Sequence, residues 1–199
     1  MSETLDDVAG EAPDGEASHW LFLVDPAWKP PAVEQGAEAP MPPRESVVGG
    51  WLVGPDGETG RFHSNPDYVP ASPDSPTDPV DATLQLVAEG SAPVDDVLSL
   101  LRDNSYGVAV DEEGVVICVP APDDVMSMLV TTAPARRADV ERVAHWREVT
   151  AGELADLVTR HQVDLLINPA GPATIRLIGE VFVEHVTRAA ARPEPVPGG

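Results

Sequence analysis

Apolar residues along the chain gather into short runs separated by Gly- and Pro-bearing stretches, and helical spacing appears in only a few places. The first run, His19–Val24, predicts a strand halted by Asp25-Pro26. Val47–Val53 predicts a second strand, weakened or bent by Gly49-Gly50. Gly54-Pro55-Asp56-Gly57 is a turn signal, because Pro presets one turn dihedral and Gly57 accepts φ > 0. The return strand runs over about Glu58–His63, which completes a hairpin. Thr77 or Asp78 caps a helix whose first turn admits Pro79, and its apolar stripe is Val80, Leu84, Val87 and Ala88. A second helix starts near Pro93, with Val94, Val97, Leu98 and Leu101 on one face and Asp95 and Asp96 at its positive end.

Tyr106–Val110 and Val115–Val119 read as a second hairpin around Asp111-Glu112-Glu113-Gly114, with Met126–Thr132 as an adjoining strand. The segment Arg136–Val143 is open between a short helix and an irregular basic connection. Trp146–Val149 re-enters the sheet, and Thr150 with Glu153 forms a capping box ahead of Leu154, Leu157 and Val158. Val163–Ile167 is a buried strand, ended by a turn of Asn168, Pro169, Gly171 and Pro172. Asn before Pro commonly bonds its own backbone, so Asn168 is expected to lock that turn. Beyond it, Thr174 caps a helix carrying Ile175, Ile178, Val181, Phe182 and Val186, with a strand over Thr174–Val183 as the rival.

The pattern gives an α+β fold, a single domain over residues 18–190. In it a mixed or antiparallel sheet built from β-hairpins packs against three to four helices. Residues 1–17 are acidic and lack aromatics, and are expected to form a disordered tail. Residues 191–199 are a Pro/Gly-rich tail. The prolines between Trp28 and Arg44, and those between Asn65 and Pro79, predict long irregular connections.

Composition changes this picture mainly through charge. Lys and Arg number 12 against 34 Asp and Glu, for a net charge of −22. Such a surface repels phosphate, so nucleic acid and anionic membrane are disfavoured as direct partners. Solubility is the ordinary reason for the acidity; a basic protein target or nucleic-acid mimicry is the sharper one. No run approaches the roughly 18 apolar residues of a membrane span. The N-terminal stretch is acidic rather than a charged and apolar leader, so the expected location is the cytoplasm. The single cysteine, Cys118, excludes an intrachain disulfide and is expected in the core.

Candidate chemistry adds little. The five histidines form no HExxH or His-x-His pattern, and no G-x-S-x-G elbow or Gly-rich phosphate loop occurs. Acidic pairs sit at helix starts and turns, where capping or solvation accounts for them. No catalytic, cofactor-binding or metal-ligating residue is assigned, and the chain reads as non-enzymatic; an uncharacterised hydrolase is the remote alternative. The aromatics Trp28, Trp51, Phe62 and Tyr68, on or beside proline-rich loops, are the candidate protein-binding residues. Roofing the core is their ordinary alternative.

The stretch from Trp51 through Gly54-Pro55-Asp56-Gly57, Asn65-Pro66-Asp67-Tyr68 and Thr77-Asp78-Pro79-Val80 resembles the actinobacterial type VII secretion system-associated proteins. Tyr106–Gly114, Trp146–Thr150 and Leu165-Leu166-Ile167-Asn168-Pro169 with Gly171-Pro172 are similar to the N-terminal domain of SseB-like proteins. Ala170 departs from that pattern, where Gly or Ser is more usual. The resemblance implies a cytoplasmic accessory protein, adaptor or chaperone-like, that binds a secretion component or cargo. It transfers no catalytic residue. An acidic inhibitor, immunity-type protein or DNA mimic is the alternative.

Overall fold

Among the described residues, nine strands and four α-helices follow one another in the order β1(His19–Val24), β2(Val47–Val53), β3(Thr59–Ser64), α1(Pro79–Ala88), α2(Val94–Leu101), β4(Ser105–Val110), β5(Cys118–Pro120), β6(Met126–Thr131), β7(His145–Thr150), α3(Ala151–His161), β8(Asp164–Ile167), β9(Ile175–Leu177) and α4(Gly179–Ala190). This computed structural model describes residues 18–31, 40–138 and 140–190, without the side chains of 189 and 190. The two terminal tails and the middle of the Trp28–Arg44 connection lie outside the described residues.

The fold is α+β, and its strands divide between two sheets. One is three-stranded, β1-β2-β3; the other is six-stranded, β7-β4-β6-β8-β9, with β5 beside β6. All pairings are antiparallel except β6 with β8, whose connection passes through β7 and α3. The larger sheet alternates cleanly. Tyr106, Val108, Met128, Val130, Val149, Leu165 and Ile167 meet the helices in the main core. Ala109, Leu129 and Leu166 lie on the opposite face in a smaller cluster. Tyr106 meets Phe182 of α4 edge-on at 6.1 Å, and its hydroxyl donates to the Leu101 carbonyl.

Local signals set most element ends. Asp78 Oδ1 accepts from the N–H groups of Val80 at 2.8 Å and Asp81 at 3.0 Å, so two orphan donors of α1 are satisfied and Pro79 has none to lose. Thr150 and Glu153 form the reciprocal capping box of α3. Gln162 ends that helix in the left-handed region at φ 53°. Pro134–Arg137 is a 3-10 turn that takes in only the first two residues of the Arg136–Val143 segment, whose other described residues are irregular.

Three expectations are corrected. The second hairpin survives only beside its turn, where Val110 bridges Val116 and Ile117 N–H bonds Ala109 O at 2.9 Å. Val110 also pairs with His145 on its other side, so β6 and the returning arm compete for one edge of β4. β6 takes Gly107 and Val108, and the arm is displaced along β6 as Cys118–Pro120. Next, Thr174 caps no helix: its hydroxyl donates to Asn168 O at 2.8 Å, and Ile175–Leu177 pairs with β8 before α4 begins at Gly179. The helix and strand readings of that segment each hold for one half. Last, Cys118 is half-buried at the margin of the core, where burial pushes its thiol pKa up.

Candidate functional site

The three-stranded sheet leaves apolar side chains uncovered on both of its faces. In its register Trp20 faces Leu52, while Phe22 faces Gly50 and Gly50 faces His63. Leu21 faces Trp51, and Trp51 faces Phe62. Cross-strand partners share a face, so Trp20, Phe22 and His63 stand on one side and Leu21, Trp51 and Phe62 on the other. Both sides carry ring contacts. Trp20 and Phe22 stack at 6.3 Å with planes 5° apart, and His63 meets Trp20 edge-on at 5.5 Å. Trp51 and Phe62 pack at 4.9 Å. The glycine pair of β2 makes this possible. A Cβ on Gly50 would lie 3.0 Å from the Phe22 ring, and one on Gly49 would collide with the Phe62 ring. Leu21 remains 54% exposed, Phe22 41% and Leu52 40%.

Polar side chains fasten this sheet to the rest. Asp25, buried just past β1, accepts from Ala27 N–H at 2.9 Å and Ala71 N–H at 3.1 Å. The Tyr68 hydroxyl lies 3.0 Å from Asp25 Oδ2 and 2.9 Å from the Pro76 carbonyl, two acceptors for one hydrogen. Burial pushes the Asp25 carboxyl up, but these hydrogen bonds outweigh it and hold the pKa below its ordinary value. Burial and the Asp25 charge drive Tyr68 far upward. Asn65 donates to Arg44 O at 2.7 Å and Val47 O at 2.8 Å, tying the strand ends to the loop that follows β3.

A second, fully internal network lies under that loop. Arg136 donates to Asp81 Oδ2 through Nε at 3.1 Å and Nη2 at 2.6 Å. It also donates to the carbonyls of Pro73 at 3.0 Å and Ser75 at 2.8 Å. Asn168 stands at φ 49° and is wholly buried. Its amide does not bond its own turn as expected: Nδ2 donates to Thr132 Oγ1 at 2.9 Å and Asp81 Oδ1 at 3.3 Å, and Oδ1 accepts from Thr132 N–H at 3.0 Å. Gly171 N–H to Asn168 O, at 2.9 Å, closes the turn instead. Thr132 Oγ1 donates to Asp78 Oδ2 at 2.7 Å, and burial raises the Asp78 pKa. These groups satisfy one another, so the network acts as a fastening.

Between β3 and the margin of the larger sheet lies a cleft of about 530 Å³, lined by Arg61, His63, Asn104, Ser105, Arg137 and Glu148 among others. Arg137 crosses the sheet over Gly107, where a Cβ would stand 2.8 Å from its Nε, and pairs with Glu148. Asp78 reaches the cleft wall, already engaged by Thr132. Among the described residues His63 makes no hydrogen bond to Ser64, Ser105, Asp78 or Asp103. No group of three or more His, Cys, Asp or Glu among them is placed to hold a metal ion.

The four aromatics singled out from sequence therefore have different surroundings. Trp51 and Phe62 meet on the three-stranded outer sheet, Phe62 within β3 as the expected return strand has it. Tyr68 is committed to Asp25 and Pro76. Trp28 is half-buried in the turn after β1, its N–H bonded to Asp25 O at 3.0 Å. Sequence reasoning passed over Trp20, Leu21, Phe22 and Leu52. The signal was present: β1 is apolar at every position after His19, whereas a one-faced edge strand alternates. No protein-family model, curated protein or solved structure matches the chain.

Proposed function

We propose that this chain is a non-enzymatic binding protein, an adaptor or chaperone-like accessory acting in the cytoplasm, whose contact surface is the three-stranded sheet. The observation that carries the reading is exposed Phe22 and Leu52 beside the stacked Trp20 on one face, and exposed Leu21 on the other, of a sheet whose two outer edges are unpaired among the described residues. Small soluble proteins bury such clusters or use them to bind. Aromatics held by neighbouring rings lose little entropy on contact, which suits them as anchors. No helix among the described residues is long and apolar enough to cross a membrane, so a protein partner is favoured over insertion. The resemblance to type VII secretion-associated proteins supplies the setting: a secretion component or a cargo protein.

A photo-crosslinking residue at Leu52, expressed in the native cell, tests this. The expected result is one dominant protein adduct that is absent when the crosslinker stands at exposed Arg160 of α3. It should be lost on Phe22→Glu, on the same face of the sheet as Leu52, with an unchanged melting temperature. Equal labelling from both positions would overturn the reading.

A further inference from the structure

Among the described residues, the outer edge of β1 has no strand beside it. The one strand partner of β1 among those residues is β2. Asn65 N–H bonds Val48 O at 3.0 Å, so by the alternation of an antiparallel ladder Gly50 also faces β3 while Gly49 and Trp51 face β1. Their partners Leu23 and Leu21 therefore spend their backbone groups on β2, and Trp20 and Phe22 direct theirs outward. That edge carries no proline, lysine or inward charge, and its one irregularity falls at Leu23/Val24, beyond the open pair. Natural edges are usually blunted by such devices.

We infer that β1 accepts an extended apolar segment of a partner protein as a fourth strand, antiparallel, with basic residues following that segment. This deepens the binding reading above and rests on it. The apolar character comes from β1 itself, because an added strand would place side chains beside Trp20 and Phe22 on one face and Leu21 on the other. The basic flank comes from charge. β1 is preceded directly by residues 1–17, which contain Glu11, Asp14 and Glu16 among their acids and neither Lys nor Arg. An antiparallel partner brings its C-terminal flank to that end of β1. A second copy of this chain is a poor occupant, since it would bring another charge of −22 to the same edge.

Selection of a random peptide library on the full chain tests the inference. Enriched peptides should combine an apolar run with two or more Lys or Arg after it, and should bind more weakly as salt rises. Phe22→Pro removes an outward donor without touching the β2 ladder and should weaken binding about tenfold or more. Phe22→Val, which keeps the N–H, should retain most of it, with both variants melting as cooperatively as the parent. Equal binding by the proline variant overturns strand addition. So does enrichment of acidic peptides, failure to enrich any, or self-association of the chain relieved by Phe22→Pro. If the Leu52 crosslink persists in any of these cases, the binding reading stands and the strand-addition inference alone falls.

Discussion

Arg136 and Asp81 meet at 2.6 Å in the interior with side chains 5% and 0% exposed, although 55 positions separate them. One guanidinium joins the first helix to the loop that carries the outer sheet, through Asp81, Pro73 and Ser75. Arg136→Met leaves the Asp81 carboxylate buried without its cation and should cost about 3–5 kcal/mol in urea unfolding. Adding Asp81→Asn should recover part of that loss. A cost within error of zero for the single variant would show that the pair fastens nothing.

Asn168 should be far more sensitive than a residue closing only its own turn. Replacing it by Ala deletes bonds to Thr132 and Asp81 and forces a Cβ-bearing apolar residue to hold φ 49°. The expected loss is about 3 kcal/mol. Asn168→Gly loses the same amide but adopts the backbone freely, and should be about 1 kcal/mol less damaging. Equal losses for the two would remove backbone strain from the account.

The Asp25–Tyr68 contact predicts a pH dependence. The folded pKa of Asp25 lies below its ordinary value of 3.8. Its contribution is therefore complete above that value and is lost as pH falls through the folded pKa. Tyr68→Phe removes one of the hydrogen bonds responsible. It should cost about 1–2 kcal/mol at neutral pH, and less as Asp25 protonates. Asp78 runs the other way: burial raises its folded pKa, so its contribution is complete below the ordinary value and is lost as pH rises through the folded one. Asp78 is common to both proteins, so the difference between wild type and Tyr68→Phe isolates Asp25. Urea melts from pH 3 to 7 read that difference; a constant offset would assign the loss to Pro76 instead.

Gly107 is the floor under Arg137. A Cβ there would lie 2.8 Å from both Thr131 Oγ1 and Arg137 Nε. Gly107→Ala should lift the guanidinium, weaken its pairing with Glu148 and cost about 1–3 kcal/mol. The Trp146 ring, 5.9 Å from that guanidinium, supplies an optical readout, provided its emission is separated from that of the other tryptophans by Trp146→Phe. Unchanged Trp146 emission would mean that the Arg137 side chain has not moved.

The sequence by itself determined the elements: β1 and β2 to the residue, both helices after the first hairpin, a cap at Thr77 or Asp78 that the structure gives to Asp78, and the Thr150–Glu153 box. Those signals act over a few residues. A side-chain oxygen, a missing proline N–H or a repeat of apolar positions biases its own segment wherever that segment lies. Only the tertiary structure decided which strands pair, that β5 leaves β4 for β6, and that Thr174–Val183 divides into strand and helix. Edges are competed for by segments far apart in the chain, and no local signal records the outcome. The same holds for Asn168, whose turn was expected but whose partners, Thr132 and Asp81, lie 36 and 87 positions away. It holds most for the outer sheet. Six consecutive residues, His19–Val24, promised a strand, but whether their apolar side chains meet a core or solvent depended on what packed against them.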